Sequence, residues 1–384
     1  MAKKINVAVI FGGRSGEHEV SLVSASAIIK NLDRTKYNLI PIGISKQGQW
    51  IAGDNSLELL KSGDIPKALK ATLTPDANVK SLVVLDKKFL APSRQSLATK
   101  NIDVVFPVLH GTYGEDGTIQ GLFELADLPY VGAGVLGSAV AMDKITQKKI
   151  CQSAGMLVAD WVWIGKKEWS WLKKNKTVFK KWLLETGKRL GYPMFVKPSN
   201  LGSSVGISKA HNRDELIQAI NLAARYDRRI LIEQAVKDAI EIEVSVLGNE
   251  KPEASRPGQI IASNEFYDYD AKYVDGKSRE IIPAPLPKKI ERQVREMAVE
   301  SFKLIDLAGM ARIDFLIQKK GWKVYLSELN TIPGFTSISM YPKLWQASGI
   351  SYKKLLDILI KLAIERHNEK KQLATTHKTK DWYK

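Results

Sequence analysis

Arg312-Ile313-Asp314-Phe315 and, after a short gap, Tyr325-Leu326-Ser327-Glu328-Leu329-Asn330-Thr331-Ile332-Pro333-Gly334 decide how this chain is read. Each half reads as a strand, and the polar Lys319-Lys320-Gly321 suits the turn of a hairpin between them. Glu328 and Asn330 lie two apart on one strand and so share a face. Asp314 sits on the neighbouring strand. Hard oxygen ligands set this way suit Mg²⁺, which takes one or two carboxylates and completes its shell from phosphates and water. Arg312, two before Asp314, points to the same face and can hold a developing negative charge. Over these strands alone, an amphipathic hairpin with a solvated acidic face reads equally well. The Asn-Thr-x-Pro-Gly tail favours a site, because a Pro-Gly turn straight after a ligand strand supplies a backbone-lined anion pocket.

The chain around this stretch has 384 residues, enough for two or three domains, and its 44% hydrophobic content supports a sizeable core. No apolar run approaches the ~18 residues of a membrane helix. Met1-Ala2-Lys3-Lys4 leads directly into a strand without an apolar leader. The single cysteine, Cys151, excludes an internal disulfide and fits a reducing compartment, so a cytoplasmic protein is expected. The net charge of +17 raises the question of a nucleic-acid partner. The basic residues are scattered, however, and no nucleic-acid-binding signature accompanies them. The sequence therefore predicts neither a nucleic-acid nor a membrane partner, and the charge suits phosphate-bearing substrates.

Upstream, Ile5-Asn6-Val7-Ala8-Val9-Ile10-Phe11 reads as a buried parallel strand. Gly12-Gly13-Arg14-Ser15-Gly16 follows as a turn, and Glu17 to about Leu32 has helical spacing. Such a turn either binds an anion or is a tight connection; its glycine spacing is not that of the dinucleotide fingerprint. Leu39–Ile44 is the second strand, and Ser81–Leu85 and Lys88–Leu90 are candidate short strands. Asp103–Leu109 is another strand, ending at His110-Gly111-Thr112-Tyr113-Gly114-Glu115-Asp116-Gly117. Ligands of open α/β sheets bind beyond the carboxyl ends of strands, which makes His110 a candidate. Ile119–Ala126 reads as a helix, and another helix begins at Ala141-Met142-Asp143-Lys144, where the first domain boundary falls. The tryptophans and lysines of 160–190 read as packing on amphipathic elements rather than as a platform for single strands.

Lys197-Pro198-Ser199-Asn200-Leu201-Gly202-Ser203-Ser204-Val205-Gly206 joins two strands of a hairpin. Backbone amides, hydroxyls and a lysine make it a phosphate-covering loop in form. It is not a Walker loop, since the lysine precedes it. Ile230–Ile232 runs into Glu233-Gln234, and Ile240–Leu247 carries Glu241 and Glu243. The segment between them can offer its edge to an adenine, or be a plain connection. Residues 264–275 read equally as a loop able to close over a site or as a plain surface loop. Lys288–Ile305 and Tyr352–Ile364 are amphipathic helices, and Glu369–Lys384 is a frayed polar tail.

Lysines, a Gly/Ser loop and an Asp/Glu/Asn cluster together indicate a nucleoside triphosphate with Mg²⁺ and phosphoryl or acyl transfer. Over nearly its whole length the sequence resembles the D-alanine–D-alanine ligases of the ATP-grasp superfamily. The matching blocks are Phe11–Ser21, His110–Gly117, Met142–Lys144, Lys197–Gly206, Tyr267–Tyr273, Gly309–Asp314 and Glu328–Ser339. Met340-Tyr341 departs from the smaller aliphatic pair of many relatives.

The resemblance implies an α/β (α+β mixed) fold of three-domain ATP-grasp architecture with an N-terminal doubly wound parallel-sheet domain. Its divisions would be 1–142, 143–247 and 248–370, with a polar tail at 371–384. It implies ATP-dependent joining of two D-alanines through an acyl phosphate, for peptidoglycan precursors, in a cytoplasmic homodimer. Carried over by motif, Glu17 would hold the first ammonium, with His110 nearby, and Glu17, Ser203 and Tyr273 would form a hydrogen-bonded set. Lys144, Lys197 and Lys272 would bind ATP phosphates, Glu233 and Val236 adenine, and Glu241 ribose. Asp314, Glu328 and Asn330 would hold two Mg²⁺ (or Mn²⁺) ions. Arg312 and the Gly334 N–H would meet the oxyanion, and Ser339 the second substrate's carboxylate. A biotin-carboxylase-like enzyme would share the metal block but lack the blocks around Glu17 and Tyr273. A ligase for another carboxylate–amine pair, or for a D-hydroxy acid, is the remaining alternative.

Overall fold

A computed structural model of the protein describes residues 3–65, 69–85, 101–261, 279–375 and 377. The 264–275 loop, with Lys272 and Tyr273, and the strand expected at Lys88–Leu90 lie outside the described residues.

Strand β1 (Ile5–Gly12) is flanked in parallel by β2 (Tyr37–Ile44) and β6 (Val104–Val108). Strands β3 (Trp50–Ala52), β4 (Leu69–Thr72) and β5 (Val83–Val84) extend the β2 side in antiparallel fashion. Val7 to Phe11 are fully buried, because both faces of this sheet are covered. Val7, Val9 and Phe11 point to one face, where they meet Ala25 and Ile28 of helix α1 (His18–Asn31) and Leu355 and Leu359 from the end of the chain. Ala8 and Ile10 point to the other face, towards Ile40, Ile42 and Phe123. The period of two thus sorts one strand's residues into two cores.

A second, wholly antiparallel sheet has the order β7-β10-β8-β9, from Trp161–Gly165, Arg229–Gln234, Met194–Pro198 and Ser208–Ala210. Trp169 is buried beneath it and packs on Phe179 and Trp182, so the tryptophan-rich region is largely packing. The third sheet has the order β14 (Arg279–Ile281), β13 (Gly258–Ile261), β11 (Ala239–Gly248), β15 (Gly309–Gln318), β16 (Val324–Asn330), with β12 (Glu253–Ala254) also paired to β11. Its apolar face, Ile242, Val244, Ala311 and Ile313, is covered by Val294, Ala298 and Phe302 of the helix Lys288–Leu304.

Two expectations are corrected. The helix expected to begin at Ala141 is a pair, Val135–Met142 and Lys144–Ser153. Asp143 separates them with ψ 98°, and its carboxylate accepts from the Thr146 N–H at 2.8 Å, capping the second helix. The last helix runs from Tyr352 to Lys371, past the start of the expected tail. Its final turns are docked: Arg366 stacks 4.4 Å from the Tyr130 ring centroid and donates to Tyr130 O, while Lys370 and Lys371 pair with Glu124 and Asp127.

Candidate active site

The hairpin of β15 and β16 forms as its alternation predicts. Asp314 lies opposite Glu328, Arg312 opposite Asn330, and on the other side Glu243 lies opposite Asp314. Three carboxylates therefore stand in a row across three strands, an arrangement that like-charge repulsion disfavours. Cations offset it. Arg312 forks onto Asp314 with bonds of 2.8 and 2.7 Å and reaches Glu243 at 3.2 Å. Burial disfavours the guanidinium's charge, but Asp314 and Glu243 outweigh it and hold the group firmly protonated. Lys144 sits 2.7 Å from Glu328. Asn330 donates to Asp314 at 3.0 Å. Asp314, Glu328 and Asn330 are hard donors of the kind Mg²⁺ takes. Among the described residues no three His, Cys, Asp or Glu side chains gather as a ready metal site. Phosphate oxygens and water would have to complete the shell, as Mg²⁺ in nucleotide sites usually requires.

The second sheet faces this row across a cavity of about 130 Å³ lined by Lys197, Glu233, Val236, Glu241, Asp314 and Glu328, among others. Glu233 is buried and carries two lysines, Lys197 on one oxygen and Lys148 at 3.0 Å on the other. Burial alone would raise its pKa; the two lysines reverse this and hold it at about 2. Both carboxylate oxygens are thus engaged, which makes Glu233 the anchor of the two lysines as well as part of the cavity wall. Lys148 was not singled out from the sequence. It lies four residues after Lys144 on one helix, so the two share a face.

Glu17 precedes α1 at the carboxyl end of β1 and is buried. Ser203, from the Gly/Ser loop, donates a hydrogen bond to its carboxylate. A Cβ added at Gly111 would lie 2.3 Å from Glu17 Oε2, and one at Gly202 would lie 2.6 Å away. Glycine at these two positions lets the loops close on the carboxylate. His110 lies beside them, but its ring is occupied: Nδ1 meets Ile332 O at 2.9 Å and Nε2 meets Ser24 Oγ at 3.0 Å. Burial lowers its pKa, favouring the neutral ring. Its place is therefore in the wall behind Glu17.

Gly334 sits in the loop after β16, where a Cβ would come within 2.6 Å of Ser339 Oγ. Ser339 accepts from the Thr336 N–H at 3.0 Å and stands at the N-terminus of the helix Met340–Ala347. That position suits a carboxylate. The unusual Tyr341 is fully buried behind the loop, its hydroxyl on Val246 O at 3.0 Å and its ring 5.5 Å from Phe335. It belongs to the packing behind the loop. The structure thus joins Glu17 to Ser203, Lys144 to Glu328, Lys197 to Glu233, and Arg312 and Asn330 to Asp314.

Known proteins place this arrangement. Family profiles described as D-ala D-ala ligase N-terminus and D-ala D-ala ligase C-terminus match residues 6–133 and 150–361. The D-alanine–D-alanine ligase of Thermoanaerobacter sp. (strain X514) is 51% identical over 372 residues, 96% of this chain and 99% of that protein. That of Natranaerobius thermophilus is 49% identical over 374 residues, 97% of this chain and 98% of its own. Among solved structures, the D-alanine–D-alanine ligase from Coxiella burnetii superposes with a TM-score of 0.78 at 35% identity, covering 97% of each chain. The VanG D-Ala:D-Ser ligase from Enterococcus faecalis gives 0.80 at 35% identity, covering 94% of this chain and all of that one (100%). With both family profiles matched in order and relatives aligned almost end to end, the chain belongs to the D-alanine–D-alanine ligase family, with the ATP-grasp fold.

Proposed function

We propose that this chain joins two D-alanines to D-alanyl-D-alanine, with ATP cleaved to ADP and phosphate, for peptidoglycan precursors in the cytoplasm. The observation that carries the reading is Glu17, gripped by Ser203 and closely approached by two glycines, with Lys144, the partner of Glu328, donating to Leu201 O of the same Gly/Ser loop at 2.8 Å.

Glu17 takes the ammonium of the first D-alanine, ordered by Ser203 and, on the family pattern, by Tyr273. The substrate's carboxylate oxygen attacks the γ-phosphorus of ATP; the bond to ADP breaks and an acyl phosphate forms. Lys144 and Lys197, with Lys272, hold the phosphates. Val236 and the strand end at Glu233 flank the adenine, and Glu241 takes the ribose. Asp314, Glu328 and Asn330 would hold two Mg²⁺ (or Mn²⁺) ions, whose charge neutralises the phosphate oxygens. The second D-alanine, its carboxylate at Ser339 and the adjoining helix N-terminus, gives an ammonium proton to water and attacks the acyl carbon with its amine. The oxyanion faces Arg312 and the Gly334 N–H, and phosphate then leaves with its bonding electron pair. Loss of one such donor costs about 10²–10³ in rate in other enzymes. His110 supports the loop from behind. The working units on this reading are residues 1–142, 143–247 and 248–370.

Purified protein with MgATP and D-alanine should release phosphate and D-alanyl-D-alanine in equal amounts, seen by phosphate assay and mass spectrometry. L-alanine should give neither. Absence of dipeptide, or a depsipeptide formed in preference when D-lactate competes, would overturn the assignment.

A further inference from the structure

The loop that carries Gly334 is held by side chains from the opposite end of the sequence. Glu115 accepts from the Ile332 N–H at 3.0 Å and from the Gly111 N–H at 2.7 Å. His110 meets Ile332 O at 2.9 Å. Ser24, fully buried on α1, accepts from the Phe335 N–H at 3.3 Å and meets His110 Nε2 at 3.0 Å. These bonds are mutually consistent in direction. A neutral His110 with its proton on Nδ1 donates to Ile332 O, leaving Nε2 to accept the Ser24 hydroxyl, whose oxygen receives the Phe335 N–H. Glu115 closes the set from the other side. Burial, and then the nearby Glu17 charge, raise its pKa above the ordinary range. Three backbone atoms flanking Pro333-Gly334 are therefore pinned, two at Ile332 and one at Phe335.

We propose that Ser24 and Glu115 are positioning residues of the ligation reaction: with His110 they fix the backbone on both sides of Gly334 and so aim its N–H at the oxyanion. Neither side chain reaches the ligand in this role; each acts through the loop. The inference rests on the proposed ligase activity and on Gly334 as an oxyanion donor. An oxyanion donor must be aimed where charge develops in the transition state, so a loosened loop lowers kcat more than it weakens substrate binding.

The test is steady-state kinetics of the full chain and its variants Ser24→Ala, Glu115→Gln, His110→Ala and Ser24→Ala/His110→Ala, normalised to folded protein by circular dichroism. Expected is a fall in kcat of about 10- to 100-fold in each single variant, below the loss from deleting a donor outright. KM for ATP and D-alanine should stay within about twofold of wild type. Ser24 and His110 act in series, so the double variant should be little slower than the worse single one. Should Ser24→Ala fail to fold, Glu115→Gln, which acts on the Ile332 N–H, carries the same comparison. Wild-type kcat in Ser24→Ala or Glu115→Gln, a loss confined to KM, or multiplicative losses in the double variant would overturn the proposal. An inactive wild type would instead contradict the ligase reading itself.

Discussion

The two ends of the candidate site handle negative charge in opposite ways. At one end, around the cavity between the second and third sheets, Glu233, Glu243, Asp314 and Glu328 are each paired with a lysine or arginine of the protein. At the other end Glu17 is buried like Glu233 and Glu243, yet among the described residues no lysine or arginine pairs with it; it has a serine hydroxyl and two close glycines. A buried carboxylate without a cation is costly, so on the proposed reading the partner comes with the substrate. An amino group meets that need. At the cavity end, by contrast, the protein supplies the cations itself.

The largest effect expected from this contrast is at Arg312. Arg312→Ala leaves Asp314 and Glu243 facing each other without their shared cation, a loss of about 3–5 kcal/mol in stability for a broken buried pair. Turnover should fall by about 10²–10³, since on the proposed mechanism an oxyanion group is lost as well. Thermal melts alongside phosphate release separate the two losses, and near-wild-type turnover would remove Arg312 from the reaction.

Acid sharpens the contrast next. Glu233 is held at about 2, below its ordinary 4.5, so the stability it lends is complete above 4.5 and is lost as pH falls towards 2. The span corresponds to a few kcal/mol, on the order of 1.4 per unit. Denaturant melts between pH 7 and pH 3 should show this acid limb, and Glu233→Gln should flatten it. An unchanged limb would mean that the two lysines do not stabilise the charged carboxylate.

Glu17→Gln tests the other end. It keeps the shape but removes the charge meant for an ammonium, a difference of about 1.5–3 kcal/mol for a hydrogen bond to a charged group. KM for the first D-alanine should rise about 10- to 100-fold while KM for ATP holds. An equal rise in both would erase the distinction between the ends. The smallest effect belongs to Lys370, an exposed partner of Glu124 far from either end. Lys370→Ala should shift stability by at most about 1 kcal/mol and leave turnover unchanged.

Much of this was legible in the sequence where the signal was local. The alternation of Arg312–Phe315 places Asp314 and Arg312 on one face, and the nearly continuous apolar run from Ile5 to Phe11 announces a buried strand. Lys144, Lys197 and Glu233 likewise sat at strand or helix ends that could be read in order. What escaped was long-range. Ser24 meets Phe335 across 311 positions and Glu115 meets Ile332 across 217, and neither residue's neighbours in sequence signal such a partner. Lys148 is one lysine of a basic chain with no local signal of its own; its partner Glu233 lies 85 positions on. The last helix was cut short for the same reason: its polar final turns have no apolar stripe, and Glu124, Asp127 and Tyr130, which hold them, lie far upstream.

The central claim is that Glu17 receives its cation from the substrate. A crystal structure of the protein with D-alanine and a non-hydrolysable ATP analogue tests it most directly. The account predicts the substrate ammonium about 2.8 Å from the Glu17 carboxylate, with the triphosphate between Lys144 and Lys197. An ammonium bound elsewhere, with Glu17 still turned only to Ser203, would contradict it.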